Sequence, residues 1–278
     1  MTIQILADSC CDLNKELQNK YDIQIVPLKI YANGNEFIDD ENLDRSALIN
    51  SMKKDDDSPN TASPSPQSFI EKFKEEDSSF VVTLSSKLSG SYQNANLAKS
   101  MFLEEVNDKF VHIFDSLSAS AGETIISIKI GELIQKDLDK QSIIEKVNDY
   151  IDEMKTMFVL DSLDNLIKAG RLNKVKGKLA SFFNIKPIMG SNGKGEIKLL
   201  DKTRGSKRAL NKLVKLIGEK GEEFEEKILG IAHCNALEKA EKLKKNIEEK
   251  YNFKDIIIVE TGGISTVYAN EGGIVIAF

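Results

Sequence analysis

The run Phe80-Val81-Val82-Thr83-Leu84 passes directly into Ser85-Ser86-Lys87-Leu88-Ser89-Gly90-Ser91-Tyr92, and a helical pattern follows. A short apolar run that ends in Ser and Gly before a helix reads as a strand delivering a loop to a helix N-terminus. The free N–H groups and the positive dipole end found there suit an anion. A second hydroxyl-rich segment, Thr61-Ala62-Ser63-Pro64-Ser65, lies shortly before it. Hydroxyls supply donors without charge, so two such loops can orient a carboxylate or phosphate and leave a reactive oxygen uncommitted. A plain helix cap with a tight turn at Ser89-Gly90 is the alternative reading.

The strand–loop–helix unit recurs. Ile3–Ala7 ends at Asp8-Ser9, and Phe110–Phe114 ends at Asp115-Ser116-Leu117-Ser118. Ile23–Tyr31 reads as a further strand and residues 32–44 as a loop. Helices are expected over Leu13–Lys20, Arg45–Lys54, Pro66–Lys74, Ser91–Glu105, Ala121–Gln135 and Gln141–Lys155. This alternation predicts an α/β fold with a mostly parallel sheet and helices on both its faces. Ligands of such sheets sit beyond the carboxyl ends of the strands. Three polar strand ends on one edge are the expected geometry of a binding site.

A domain boundary is expected near the end of the 141–155 helix, giving domains 1–154 and 155–278. The second half has another rhythm. Strands are expected over Met157–Asp161, Ile185–Gly190, Glu196–Asp201, Ile228–Cys234, Asp255–Glu260 and Gly272–Phe278. Helices are expected over Ser162–Lys168, Val175–Phe183, Gly205–Glu219 and Ala236–Glu249. Gly193-Lys194-Gly195 reads as a hairpin turn. The result is a mixed sheet with helices on one face.

The 278 residues are 41% hydrophobic and 29% charged, with a formal net charge of −6. Basic and acidic residues alternate along the chain, which argues against nucleic acid as the main partner. No apolar stretch approaches membrane-spanning length, and Ile3–Ala7 opens without a signal-peptide pattern, so no stable membrane insertion is expected and a cytoplasmic location is. Three cysteines, two of them adjacent, read as reduced thiols. Two histidines, His112 and His233, give little support to a His-based triad or a zinc site.

Two basic positions stand out. Gly170 permits a left-handed helix end, and Arg171 follows it, either as an anion contact or as a surface partner of the helix terminus. Lys202-Thr203-Arg204-Gly205 is a basic turn, with plain solvation as its alternative. Neither a P-loop nor a Gly-x-Gly-x-x-Gly nor a Gly-x-Ser-x-Gly sequence occurs. Local chemistry alone stops at an anion-binding, two-domain α/β protein.

Taken in order, these segments resemble the DegV family. The matching pieces are Ala7-Asp8-Ser9 with Asp12-Leu13, Thr61–Ser65, Leu84–Tyr92, Phe114-Asp115-Ser116, Leu163–Asn173, Asn184-Ile185-Lys186-Pro187-Ile188 and Lys202-Thr203-Arg204. The resemblance implies two α/β domains with a long-chain fatty acid between them. It implies a carrier without its own catalysis and without a cofactor, the fatty-acid-binding subunit of a bacterial fatty acid kinase. Such a carrier presents the carboxylate to a separate kinase subunit. The family's carboxylate-binding residues fall on Thr61 and Ser89, with Ser63 in the same loop and backbone N–H groups at Gly90 and Ser91. Its basic headgroup contacts fall on Arg171 and Arg204.

One departure stands out. The family's last segment reads approximately Thr-His-Thr-Gly-Pro-Gly, whereas this chain has Tyr268-Ala269-Asn270-Glu271-Gly272-Gly273. Ala269 falls at the histidine position. Tyr268 is the nearest polar side chain able to take over the contact, but alternation along a strand turns it away. The expectation is a headgroup site that lacks this donor. An enzyme acting on a small carboxylated or phosphorylated metabolite is the second functional class.

Overall fold

The structure is a computed structural model and describes residues 2–54, 58–172 and 185–278. The expected helix Val175–Phe183 and the motif residue Asn184 lie outside the described residues. The first half runs β1 (Ile3–Asp8), α1 (Lys15–Tyr21), β2 (Ile23–Val26), β3 (Lys29–Ala32), β4 (Asn35–Ile38), α2 (Arg45–Lys54) and β5 (Asn60–Ala62). It continues through α3 (Pro66–Phe73), β6 (Ser78–Thr83), α4 (Ser91–Glu105), β7 (Phe110–Asp115), α5 (Ala121–Gln135) and α6 (Lys140–Glu153). The second half comprises β8 (Thr156–Val159), α7 (Asp164–Lys168), β9 (Ile185–Ser191), β10 (Ile197–Arg204), α8 (Ser206–Lys220) and β11 (Ile228–His233). It closes with α9 (Leu237–Glu248), β12 (Asp255–Glu260), α10 (Gly263–Ala269) and β13 (Ile274–Ala277).

The first sheet has the order β2-β1-β6-β7 and is parallel throughout. Both faces are covered, which is why its strands are near-continuous apolar runs. Ile5, Ala7, Phe80, Val82 and Phe114 pack toward α5 and α6. The alternate residues Leu6, Val81, Val111 and Ile113 pack toward α3 and α4. Ser65 caps α3 by accepting from the Ser68 N–H at 3.2 Å, with Pro66 in the first turn.

The second sheet is mixed, with the order β10-β9-β8-β13-β11-β12. Met157, Val159, Leu229, Ile231, Ile274 and Ile276 face α8 and α9. The opposite face, through Phe158, Ala232, Val275 and Ala277, packs with Ala121 and Ile125 of α5. Eleven of the fifteen α5 residues are buried. This one helix is therefore packed by both sheets.

Three expectations are corrected. Ile23–Tyr31 is two strands, not one. Pro27, which has no N–H for a ladder, separates β2 from β3, and β3 enters a small antiparallel sheet of order β4-β3-β5. The expected loop at 32–44 contains β4, reached through an Asn33-Gly34 turn with φ of 49° and 75°. That dipeptide is the strongest short hairpin signal. Finally, the residues before Asn270 form helix α10 rather than extended chain.

Candidate functional site

A cavity of about 340 Å³ lies between the two sheets. Apolar side chains line its length, among them Leu28, Leu84, Phe158, Leu166, Ile197 and Val275. Of the residues singled out in the sequence, Thr61, Ser63, Ser89, Gly90, Arg171 and Tyr268 line it. Thr61 and Tyr268, 207 positions apart, are thus brought to one apolar space.

Bracing among strand ends places the second hydroxyl loop. The buried Asp8 carboxylate accepts from the Leu84 N–H at 2.8 Å and from the Cys10 N–H at 3.1 Å. Asp115 accepts from Ser86 N–H at 3.0 Å and from Leu117 N–H at 3.2 Å. The Ser85 N–H donates to the Ser118 carbonyl at 2.9 Å. The three polar strand ends do converge, and these contacts lock them together. Ser89 and Gly90 then sit at the start of α4, where Gly90 is the N-cap and has no side chain with which to cap the helix. Its first-turn N–H groups lack intrahelical partners, and the positive helix end lies beside the cavity.

The first hydroxyl segment is held differently. Thr61 belongs to β5 and pairs with Ile30 of β3, so only the residues after Ala62 are loop. Ser63 Oγ accepts from Asn94 Nδ2 at 3.1 Å, and the same amide donates to the Pro64 carbonyl at 2.9 Å. Asn94 thereby ties this loop to α4. The position of Asn94, one turn into the helix, is the sequence signal for this tie.

Two expected residues are not at the cavity. Ser91 is fully buried behind the wall; its N–H donates to Ser89 Oγ at 3.2 Å, and the two hydroxyls lie 3.0 Å apart. Arg204 pairs with Ile185 at the end of β10 and does not reach the lining. Arg171, by contrast, follows a Schellman turn: the Arg171 N–H donates to Leu166 O at 2.9 Å and the Gly170 N–H to Ile167 O at 3.0 Å. Gly170 has φ of 79°, which a side chain disfavours. From this turn the guanidinium Nε donates to the Leu88 carbonyl at 3.1 Å, joining α7 to the hydroxyl loop.

Tyr268 is not turned away. Because α10 is a helix, Tyr268 and Ala269 both reach the lining, and the Tyr268 hydroxyl lies 2.8 Å from Thr61 Oγ1. The expectation from strand alternation fails here, since neighbours on a helix are about 100° apart rather than 180°. The position of α10 is fixed by buried acids. Asp39 accepts from Gly263 N–H at 2.6 Å and from Ile264 N–H at 2.8 Å, while Asp12 accepts from Gly262 N–H at 2.7 Å and from the Ser120 hydroxyl. Burial pushes Asp12 up to about 7 against those hydrogen bonds. Burial, and then the neighbouring Asp8 charge, push Glu123 well above the usual carboxylate range; neither of its oxygens has a hydrogen-bond partner.

The histidines lie elsewhere. Burial pushes His112, beside Phe114, down to about 4. His233 Nδ1 accepts from Ala236 N–H at 3.3 Å, an ordinary cap. The three cysteines are free and buried, and Cys10 lines the cavity. Among the described residues no helix is long and apolar enough to cross a membrane.

Comparison with known proteins agrees with this architecture. A DegV domain-containing protein of Streptococcus gordonii is 32% identical over 280 residues, covering 100% of this chain and 99% of that protein. A DegV family protein from Ruminococcus gnavus, solved with vaccenic acid, superposes with a TM-score of 0.96 at 37% identity, covering 100% and 99% of the two chains. The Streptococcus pneumoniae Fatty Acid Kinase (Fak) B3 protein, loaded with linoleic acid, superposes with a TM-score of 0.91 at 31% identity, again covering 100% and 99%. The family model described as an uncharacterised protein of the DegV family matches residues 2–278. The chain belongs to the DegV family.

Proposed function

We propose that this protein binds one long-chain fatty acid in the cavity between its sheets and acts as the carrier subunit of a fatty acid kinase. The observation that carries the reading is an apolar cavity of about 340 Å³ with hydroxyls and an arginine gathered at one end. That volume falls within the range of about 300–1,000 Å³ typical of ligand pockets. The similarity to the Fak B3 protein loaded with linoleic acid supports it. Thr61 and Ser89, with Ser63, Gly90 and Arg171, receive the carboxylate. Tyr268 completes the polar end. Ser91 positions Ser89 rather than touching the ligand. Residues 1–154 and 155–278 serve as the two domains that enclose the chain.

The energetics divide the labour. Burying a methylene contributes about 0.8 kcal/mol, so about a dozen contribute on the order of 10 kcal/mol before ordering costs. The tail supplies affinity, and the hydroxyls orient the headgroup. The carboxylate is then offered to a separate kinase subunit, which forms the acyl phosphate.

The test is extraction of the purified protein and mass spectrometry of the extract, followed by titration of delipidated protein with palmitate and oleate. Saturable binding near one-to-one supports the reading. Binding no better than that of an unrelated control rejects it and revives an enzyme acting on a small metabolite. Phosphate transfer in the presence, and only in the presence, of an added kinase subunit tests the carrier role.

A further inference from the structure

We propose that the space between the end of α6, the β9–β10 hairpin and the end of α8 is a second ligand site, for a small organic phosphate; it does not rest on the fatty-acid reading. Its volume is about 280 Å³. The site is built on a row of residues across the second sheet. Lys198 of β10 pairs with Gly190 of β9, and Gly190 pairs with Met157 of β8. Residues paired in register share one face of a sheet, here the face that packs on α8 and α9. Gly190 leaves the middle of the row without a side chain. Leu200, the unpaired residue of a β-bulge in β10, lies over it: a Cβ on Gly190 would be 2.6 Å from Leu200 Cδ1 and 2.7 Å from the Thr156 carbonyl oxygen. Met157 and Leu200, with Met154 just after α6, give the cavity an apolar floor.

Three ammonium groups surround that floor. Lys155 precedes β8, Lys198 lies on β10, and Lys220 is the last residue of α8. Lysines elsewhere sit with an acid: Lys29, Lys186, Lys212 and Lys254 each have a carboxylate oxygen within 2.9 Å. Among the described residues none of the three cavity lysines has an ion-pair partner, although Asp152 lines the same space. Lys155 Nζ donates to the Glu153 carbonyl at 2.5 Å, which leaves its charge unmatched. Lys220 also suits the negative end of α8, which accounts for that lysine by itself. Lys198, in a strand, has no such reason. In a chain of net charge −6, three unpaired cations around one hollow are a site for an anion.

The hairpin wall is held by its own polar groups. Asn192 Oδ1 accepts from the Lys194 N–H at 2.8 Å and the Glu196 N–H at 3.1 Å, and the Gly193 N–H donates to Ser191 Oγ at 3.2 Å. The ammonium groups are left to meet a ligand. A phosphate monoester carries about −1.5 to −2 charges at neutral pH, and lysine binds phosphate as a point charge. A carboxylate brings a single charge to the same three cations. The apolar floor takes the organic part of the ester.

The experiment titrates the protein as purified with phenyl phosphate, inorganic phosphate and benzoate at low ionic strength, followed by NMR of each ligand. Phenyl phosphate is expected to saturate one site and to bind more tightly than inorganic phosphate, which lacks the apolar part, and benzoate, which lacks the second charge. Lys198→Gln and Lys220→Gln should each weaken it about fivefold, the upper range for an exposed charge pair. Lys242→Gln, exposed on α9, should not. Binding should fade as pH falls through about 6, where phosphate gains its second proton. Benzoate binding as tightly as phenyl phosphate overturns the phosphate assignment. Equal losses from Lys242→Gln, or no saturation by phenyl phosphate in the wild type, overturn the site. Neither result bears on the fatty-acid reading.

Discussion

The Tyr268 hydroxyl lies 2.8 Å from the Thr61 hydroxyl, across 207 residues of sequence. This contact joins α10 to β5 at the polar end of the cavity. It places a phenol where the family pattern has histidine one position later. Tyr268→Phe should weaken fatty-acid binding by about 0.5–1.5 kcal/mol, the net value of one neutral hydrogen bond. Ala269→His adds a second donor to the same lining, and is expected to raise affinity or phosphate transfer without restoring what Tyr268→Phe loses. Calorimetry on the single and double variants reads both; no gain from histidine, or a histidine that makes good the Tyr268→Phe loss, would refute it.

On the proposed reading, in which each hydroxyl donates to the ionised carboxylate, Thr61→Ala and Ser89→Ala should each cost about 1.5–3 kcal/mol of affinity for a fatty acid. A fatty alcohol of equal length should lose less. Equal losses for acid and alcohol would show that these loops do not read the carboxylate.

Stability should carry the signature of the buried acids. Burial disfavours the Asp12 charge and pushes its carboxyl up to about 7, well above the usual carboxylate range. The folded state therefore holds this proton more tightly than the unfolded state. Its contribution is fully present below about pH 4 and is lost as pH rises through about 7, at about 1.4 kcal/mol per unit within that window. Asp12→Asn should thus compare worst with wild type at low pH and close the gap by pH 7. Urea unfolding of both proteins at several pH values measures this difference; a constant gap would contradict it.

Gly122→Ala should destabilise the protein by about 1–3 kcal/mol, since its Cβ would collide with Ser118 Oγ. Ser118→Ala in the same chain should recover part of the loss by removing the oxygen. Thermal melts of the two single variants and the double variant give the coupling; strict additivity would place the strain elsewhere.

Much of this was legible in the chain because its causes are local. The run Phe80–Leu84, the serines after it and the Gly170-Arg171 turn each carry their structure within a few residues. Ser91–Glu105 and Ala121–Gln135 match α4 and α5 end to end. What escaped depends on distant partners. The segment 263–269 opens on Gly and carries the β-branched residues Ile264, Thr266 and Val267, poor helix formers, and becomes a helix because Asp39, 224 and 225 positions away, accepts its first N–H groups. The resemblance implies a headgroup contact for both Arg171 and Arg204, yet of the two only Arg171 lines the cavity, carried there by its helix end. Ser91 supplies no free N–H because Ser89, two residues earlier, already takes it.

Helix α5 has almost no face toward water, since it is packed by one sheet on either side. Withdrawing the second sheet would wet Ala121 and Ile125 together with Phe158, Ala232, Val275 and Ala277. At about 25 cal/mol per Å² this amounts to several kcal/mol, a large fraction of the roughly 5–15 kcal/mol that holds a whole domain folded. A clamshell motion about this helix would thus be close to unfolding. If the cavity takes a hydrocarbon chain as proposed, that chain would have to pass by segmental opening at the rim, with α5 as the stationary keel.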